Sequence, residues 1–160
     1  MAVAEIREAV PGDLPALYRL LQGKARFDGA EHALTATEAE LGEAVFRDDP
    51  PCHFLVAERD RSLVGFAAWY PVFSTFAAQP GLWMDDLFVE SAHRGSGIGR
   101  ELLKALAAEA RRRGCCKLEW SLQVSNARGI AFYEREGAVV REENRFAKLD
   151  AAAIDRLVGA

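Results

Sequence analysis

The stretch "HRGSGIGRELL", from His93 to Leu103, places three glycines within five residues. It lies between a strand-like run, "LWMDDLFV", and apolar residues at helical spacing, Ile98, Leu102, Leu103, Leu106 and Ala110. A strand that enters a glycine turn and leaves as a helix is the strongest constraint in the chain. At a helix N-terminus the first backbone N–H groups lack partners and the helix dipole is positive. Glycines remove the Cβ atoms that would hold an anion away. Arg94 and Arg100 add positive charge. The turn reads as a phosphate cradle, with a plain glycine-rich turn as the alternative. A Walker loop needs G-x-x-x-x-G-K-[ST], and no such string occurs. The dinucleotide fingerprint needs glycine where Arg100 stands, and roughly 60 residues beyond the turn are too few for that domain.

The rest of the chain bounds the reading. At 160 residues, half of them hydrophobic and 28% charged, it suits one α/β domain over residues 1–160. The spacing predicts a first strand in "AEIREAV". A helix follows in "PGDLPALYRLLQG", with Asp13 as cap candidate and Pro15 in the first turn. "TATEAELGEAVF" predicts a second helix, capped by Thr35 or Thr37. "HFLVAE" and "LVGFAAWY" form a hairpin around "RDRS". "PVFSTFAAQPG" reads as an aromatic loop and "LWMDDLFV" as a strand. Gly114 stops the helix that begins at Ile98. "CKLEWSLQV" reads as a strand, "NARGIAFYEREG" as a helix from Asn126 to Gly137, "RFAKLD" as a last strand, and "AAAIDRLVGA" as a short helix or tail. The order β-αα-β-β-β-α-β-α-β implies a mixed sheet.

Charge is uneven. Residues 1–93 carry 7 Lys/Arg and 15 Asp/Glu, a balance of −8, and residues 94–160 carry 13 and 9, a balance of +4. The halves suit a cationic and an anionic ligand respectively, or are solvated faces. The three cysteines make no C-x-x-C pair, and His32, His53 and His93 have no metal-ligand spacing, so no metal is expected. No signal-peptide pattern or spanning run is present, which points to a cytoplasmic protein without a membrane partner. Nucleic acid is not expected either, because Arg111-Arg112-Arg113 closes a helix where positive charge is favourable anyway.

With the Walker and dinucleotide patterns set aside, R-x-x-G-x-G remains, at Arg94, Gly97 and Gly99. Here the chain resembles the GNAT superfamily of acyl-CoA-dependent N-acyltransferases. "LFVESAHRGSGIGRELL" is similar to that family's strand-turn-helix core, and "NARGIAFYEREGA" to its later N…FY…GA segment. "IREAVPGDLPALYRLL", "HFLVAE", "VGFAAWY", "FSTF" and "WMDDLFV" resemble the branch of diamine (spermidine/spermine) and thialysine acetyltransferases. The resemblance implies a single α/β GNAT domain with a mixed, mostly antiparallel sheet flanked by helices. It also implies a homodimer and an acetyl-CoA cosubstrate.

It implies roles for residues as well. The turn N–H groups of Gly95, Ser96, Gly97, Ile98, Gly99 and Arg100, with Arg94, hold the CoA pyrophosphate. The Leu87-Phe88-Val89 strand lies along the pantetheine arm, and the N–H of Phe88 or Val89 polarises the thioester carbonyl. Asn126, Arg128, Gly129 and Arg135 meet CoA, with ordinary surface charge as the alternative for the two arginines. Tyr133 matches a tyrosine that protonates the departing thiolate, or is a core aromatic. An alkylamine is almost wholly protonated at pH 7, so a base is required. Asp85 stands where the branch carries a glutamate that contacts the amine, and alternation along the strand turns Asp86 to the other face. Phe27, Asp28, Asp85, Glu142 and Asn144 form the acceptor site. Phe27, Asp28 and Asn144 stand where diamine acetyltransferases usually carry Tyr, Glu and Trp. Phe73, Phe76 and Trp83 line the site, or belong to the core or a dimer interface. The expected activity is acetyl transfer to a primary amine of a small cationic acceptor, diamine-like or thialysine-like. The alternatives are a non-catalytic CoA-binding sensor, or a protein lysine or N-terminal acetyltransferase.

Overall fold

The computed structural model describes residues 4–159. The chain divides after Ser121 into two compact units. The first unit contains β1 (Glu5–Glu8), α1 (Leu14–Asp28), α2 (Glu38–Val45), β2 (His53–Arg59), β3 (Ser62–Ser74), β4 (Gln79–Val89), α3 (Ile98–Arg112) and β5 (Leu118–Glu119). The sheet order is β1-β2-β3-β4-β5. The first three pairings are antiparallel and β4–β5 is parallel, so the sheet is mixed and mostly antiparallel.

Helices cover both faces of this sheet, which explains the unbroken apolar run in β3, where Leu63 to Trp69 are all buried. On one face Leu17 and Leu20 of α1 and Val45 of α2 pack on Phe54, Val56, Phe66, Ala68 and Phe88. On the other, Ile98 and Leu102 of α3 pack on Ala57, Val64, Ala67 and Val89. Each fully buried Leu or Phe side chain stabilises the fold by about 1.5–3 kcal/mol.

Several expectations change in this unit. Asp13 does not cap α1; its carboxylate accepts from Arg7 at 2.7 and 2.9 Å and from the Val10 N–H. The bidentate guanidinium holds the Asp13 carboxyl below its usual range. α1 does not end near Gly23 but runs to Asp28, because Gly23 is a packing glycine: a Cβ there would sit 3.2 Å from the Phe88 ring. The aromatic loop is mostly strand. β3 and β4 extend as a hairpin with residues 75–78 as its turn, and Pro71 stands where β3 has outrun its last pairing with β2, His53–Trp69. Thr37, not Thr35, caps α2, in a capping box with Glu40.

From "CKLEWSLQV" only Leu118–Glu119 is strand. The second unit holds α4 (Ala127–Arg135) and α5 (Ala151–Val158). "RFAKLD" is not a strand there; Phe146 and Leu149 are 80% and 56% exposed, so no burial holds an extended segment. Asn126 caps α4 by accepting from the Gly129 N–H at 2.9 Å, and Gly137 follows the helix at φ 94°.

Phe66 lies between Phe54 and Phe88, ring centroids 5.9 and 6.1 Å away, and is fully buried. Phe66→Ala should cost about 3–5 kcal/mol of stability. Denaturant unfolding of the two proteins checks this; a loss below about 1 kcal/mol would contradict the packing.

Candidate active site

The glycine turn has the geometry of an anion cradle. A short 3₁₀ turn, Ser91–His93, leads from β4 into Arg94, and Gly95 and Gly97 follow at φ 81° and 90°. Those values favour glycine. A Cβ at either position would meet nothing within 4 Å, so the backbone faces open space. Gly97 is the N-cap of α3, and no side chain caps that helix. Its first intrahelical bond is Glu101 N–H to Gly97 C=O, which leaves the N–H groups of Ile98, Gly99 and Arg100 ahead of it. Ser96 is exposed and donates to the His93 carbonyl at 2.6 Å, bracing the turn. The Arg94 side chain turns back from the turn. Its Nε donates to the Val89 carbonyl at 2.8 Å, and its guanidinium lies 4.3 Å from the Phe27 ring and 5.5 Å from that of Phe88. Arg94 thus ties the start of the turn to β4 and to the end of α1.

β4 carries the second element. Ala68 pairs with Asp86 and Trp69 with Met84, so Asp85 is an extra residue, a β-bulge. The expected alternation fails here. Asp86 and Asp85 both stand on the α1 face. Asp86 bonds Lys24 of α1 at 2.9 Å, and the charges of Asp86 and Lys24 both act on Asp85. Asp85 is exposed as a residue, yet desolvation around its carboxyl and the Asp86 charge hold its pKa above the usual carboxylate range. A hydrogen bond from the Trp83 side chain and the Lys24 charge oppose that shift. Cys52 and Tyr70 are also near; burial and the Asp85 charge push the Cys52 thiol up to about 11 and raise the Tyr70 phenol. Cys52 is therefore an inert thiol at neutral pH.

On its other side β4 has a short partner. β4 pairs with β5 only at Leu82–Leu118 and Trp83–Glu119. From Asp85 to Val89 no described strand pairs with that edge. The Glu90 N–H donates to Val64 of β3, which makes the flanked pair Gly65–Val89 non-hydrogen-bonded. By the two-residue alternation, the N–H groups of Leu87 and Val89 face the open edge, while that of Phe88 faces β3. This corrects the expected donors: Phe88 is excluded, Val89 remains and Leu87 joins it. The Arg94 bond to the Val89 carbonyl lies on the same edge.

The expected acceptor residues are drawn from both units. Phe27, 53% exposed, lies under Arg94, and Asp28 forms an ion pair with Lys24. Lys24 was missed, although a lysine four residues before an aspartate on one helix is a readable pair. Reading the helix as ending near Gly23 concealed it. Phe73 and Phe76 lie at the hairpin tip, 64% exposed and fully exposed; of the three aromatics only Trp83 adjoins Asp85. Glu142 and Asn144 are exposed residues of the second unit. In that unit Tyr133 is buried on α4 with its ring edge-on to Phe132 at 4.9 Å. Arg128 and Arg135 are exposed, and Arg135 lies 5.8 Å from the Phe132 ring centre. Gly129 is fixed by the cap, since a Cβ there would come within 2.5 Å of Asn126. Among the described residues no group of three or more His, Cys, Asp or Glu is placed to hold a metal.

The acetyltransferase (GNAT) family model matches residues 14–138. The chain belongs to the GNAT family. GNAT acetyltransferases use acetyl-CoA, and this protein is an acyltransferase of that family. It is 26% identical to L-ornithine N5-acetyltransferase of Arabidopsis thaliana, over 96% of this chain and 87% of that protein. It is 30% identical to thialysine N-epsilon-acetyltransferase of Bos taurus, over 86% and 85%. An integron cassette protein from the mobile metagenome of V. cholerae shares the fold, at a TM-score of 0.82 and 24% identity, with both chains covered in full.

The geometry fits a GNAT cosubstrate. The open glycine turn with an uncapped helix N-terminus suits the CoA pyrophosphate. The free β4 edge offers backbone pairing to an amide-bearing arm. Ser96→Glu places a carboxylate in the turn without the backbone strain a side chain at Gly97 would add. Calorimetry should show CoA affinity reduced about tenfold to a hundredfold, with the fold retained. Unchanged affinity would place the anion elsewhere. Leu87→Pro removes an N–H that the sheet does not use, whereas Phe88→Pro removes a ladder bond. Leu87→Pro should lower kcat about 10²–10³-fold and cost less in thermal midpoint than Phe88→Pro. Near-normal kcat in a folded Leu87→Pro protein would leave Val89 as the donor.

Proposed function

We propose that this GNAT enzyme transfers an acetyl group from acetyl-CoA to the primary amine of a small cationic acceptor, within one GNAT domain over residues 1–160. The observation that carries it is the bulge of β4, which sets a carboxyl with a raised pKa beside an open strand edge running into an anion-binding turn. The relatives named for ornithine and thialysine support an acceptor of that size and charge. Readings as a non-catalytic CoA-binding module or a protein lysine or N-terminal acetyltransferase are not favoured by those relatives.

The bound acetyl-CoA supplies an activated acyl carbonyl and a thiolate leaving group. The turn N–H groups and the open edge of β4 hold it. The N–H of Leu87 or Val89 is the donor for the acyl oxygen. Asp85 takes the proton that the ammonium must lose, directly or through water. Its raised pKa improves the match to an amine, and its short side chain suits a water relay. Tyr133 is the acid we assign to the departing sulfur, on its match to the family's tyrosine. We also infer a homodimer, with the exposed Phe73 and Phe76 at the hairpin tip as support.

Two variants test the roles. Tyr133→Phe should lower turnover about 10²–10⁴-fold with CoA binding nearly intact. Asp85→Asn should lose most activity near neutral pH and regain part of it at high pH, where the amine is already neutral. Its stability should move the other way. A carboxyl whose folded pKa is raised loses stability as pH rises through that pKa, so Asp85→Asn should be more stable than wild type at pH 7 and equal to it below the unfolded pKa of about 3.9. Thermal midpoints and kcat/KM across pH check both. A uniformly scaled pH profile would remove the base role.

A further inference from the structure

Lys24 is the feature of the acceptor end that neither the sequence reading nor the proposed chemistry uses. Its ammonium bonds Asp86 at 2.9 Å and also Asp28. The side chains of Lys24, Asp28 and Asp86 keep 20%, 25% and 24% of their exposure, so water screens the triad only in part. Of the four charged groups gathered there, Asp28, Asp85 and Asp86 contribute −3 and Lys24 +1, which leaves −2. The expected acceptor site for a diamine needs a carboxylate ready for the second ammonium. Asp28 and Asp86 are not ready: each already holds the chain's own cation. Asp85, on the bulge beside them, has no cation bonded to it among the described residues.

We propose that Lys24 is a specificity-determining residue. It occupies the place of a second substrate cation and makes the enzyme prefer acceptors of single net positive charge over diamines. The proposal rests on the reading of Asp85 as the group that meets the reacting amine. An acceptor ammonium approaching Asp85 finds one free carboxylate. A second ammonium must displace Lys24 from two carboxylates or lie against it. Net charge of the acceptor, not its length, then decides turnover. An amine whose second cation is balanced by its own carboxylate escapes this penalty.

The test compares butylamine with 1,4-diaminobutane, for wild type, Lys24→Met and Lys24→Arg. Wild type should acetylate the diamine no better than about threefold over the monoamine in kcat/KM. Lys24→Met frees Asp28 and Asp86, so the ratio of diamine to monoamine kcat/KM should rise tenfold or more, chiefly through the diamine KM, while the loss of the Lys24 charge beside Asp85 acts on both amines alike and cancels in that ratio. Lys24→Arg keeps the charge and should retain wild-type selectivity. A wild-type diamine preference of tenfold, or a diamine-to-monoamine ratio left unchanged by Lys24→Met, would overturn the proposal. The wild-type ratio decides the matter by itself where Lys24→Met fails to fold. Calorimetric binding of the two amines to the folded proteins separates this from the acetyltransfer reading. Tighter diamine binding by Lys24→Met with no acetylation of any amine by either protein would set aside the acetyltransfer reading and leave Lys24 as the residue that sets which amines bind. Unaltered diamine binding together with ordinary acetylation would overturn Lys24 alone.

Discussion

One residue too many in β4 organises the site. Between Ala68 and Trp69 the partner strand has no place for Asp85, and the pairing resumes one residue out of step. Two features meet at this point. The side-chain alternation slips, so two successive acids stand on one face. The pairing with the two-residue β5 stops at Trp83, and the backbone beyond it keeps an open edge. On the proposed reading, this stretch of β4 supplies both the acid for the acceptor and the amides for the cosubstrate.

Apolar packing sets where the polar groups meet. Gly23 lets α1 press on the Phe88 ring, and that approach brings Lys24 to Asp86. Phe27, one helical step on, forms with Phe88 the aromatic surface under Arg94. Arg94 in turn holds the Val89 carbonyl, the last strand residue before the turn. The end of α1, the β4 edge and the start of the glycine turn are one contact network. A change in Phe88 would reach the acceptor residues and the cosubstrate turn together.

The electrostatic arrangement at the bulge has a cost. Placing Asp85 beside Asp86 with partial desolvation disfavours its ionised form, while Lys24 and the Trp83 side chain restore some of it. A purely structural surface would separate the two acids, as alternation does elsewhere in the sheet. Strain kept at one point, surrounded by a core with Phe66, Leu17 and Leu20 fully enclosed, is the usual relation between a site and its scaffold.

The sequence by itself determined the elements whose signals are local. The apolar stripe from Ile98, the glycines before it, the Asn126 cap and the hairpin around "RDRS" all form where the residues predict them, because capping, helical spacing and turn preference act within a few positions. The family resemblance rests on those same local strings. What only the tertiary structure decided are the relations between distant residues. A bulge depends on the register of two strands, and nothing in "MDDL" marks which residue is extra. The length of α1 depends on Phe88, 65 positions from the Gly23 it packs against, so a helix former's weak point became a contact. "RFAKLD" has strand composition but buries nothing, and stays irregular. Lys24 is an ordinary exposed lysine in the sequence; the bulge and the packing of α1 make it the cation between two carboxylates.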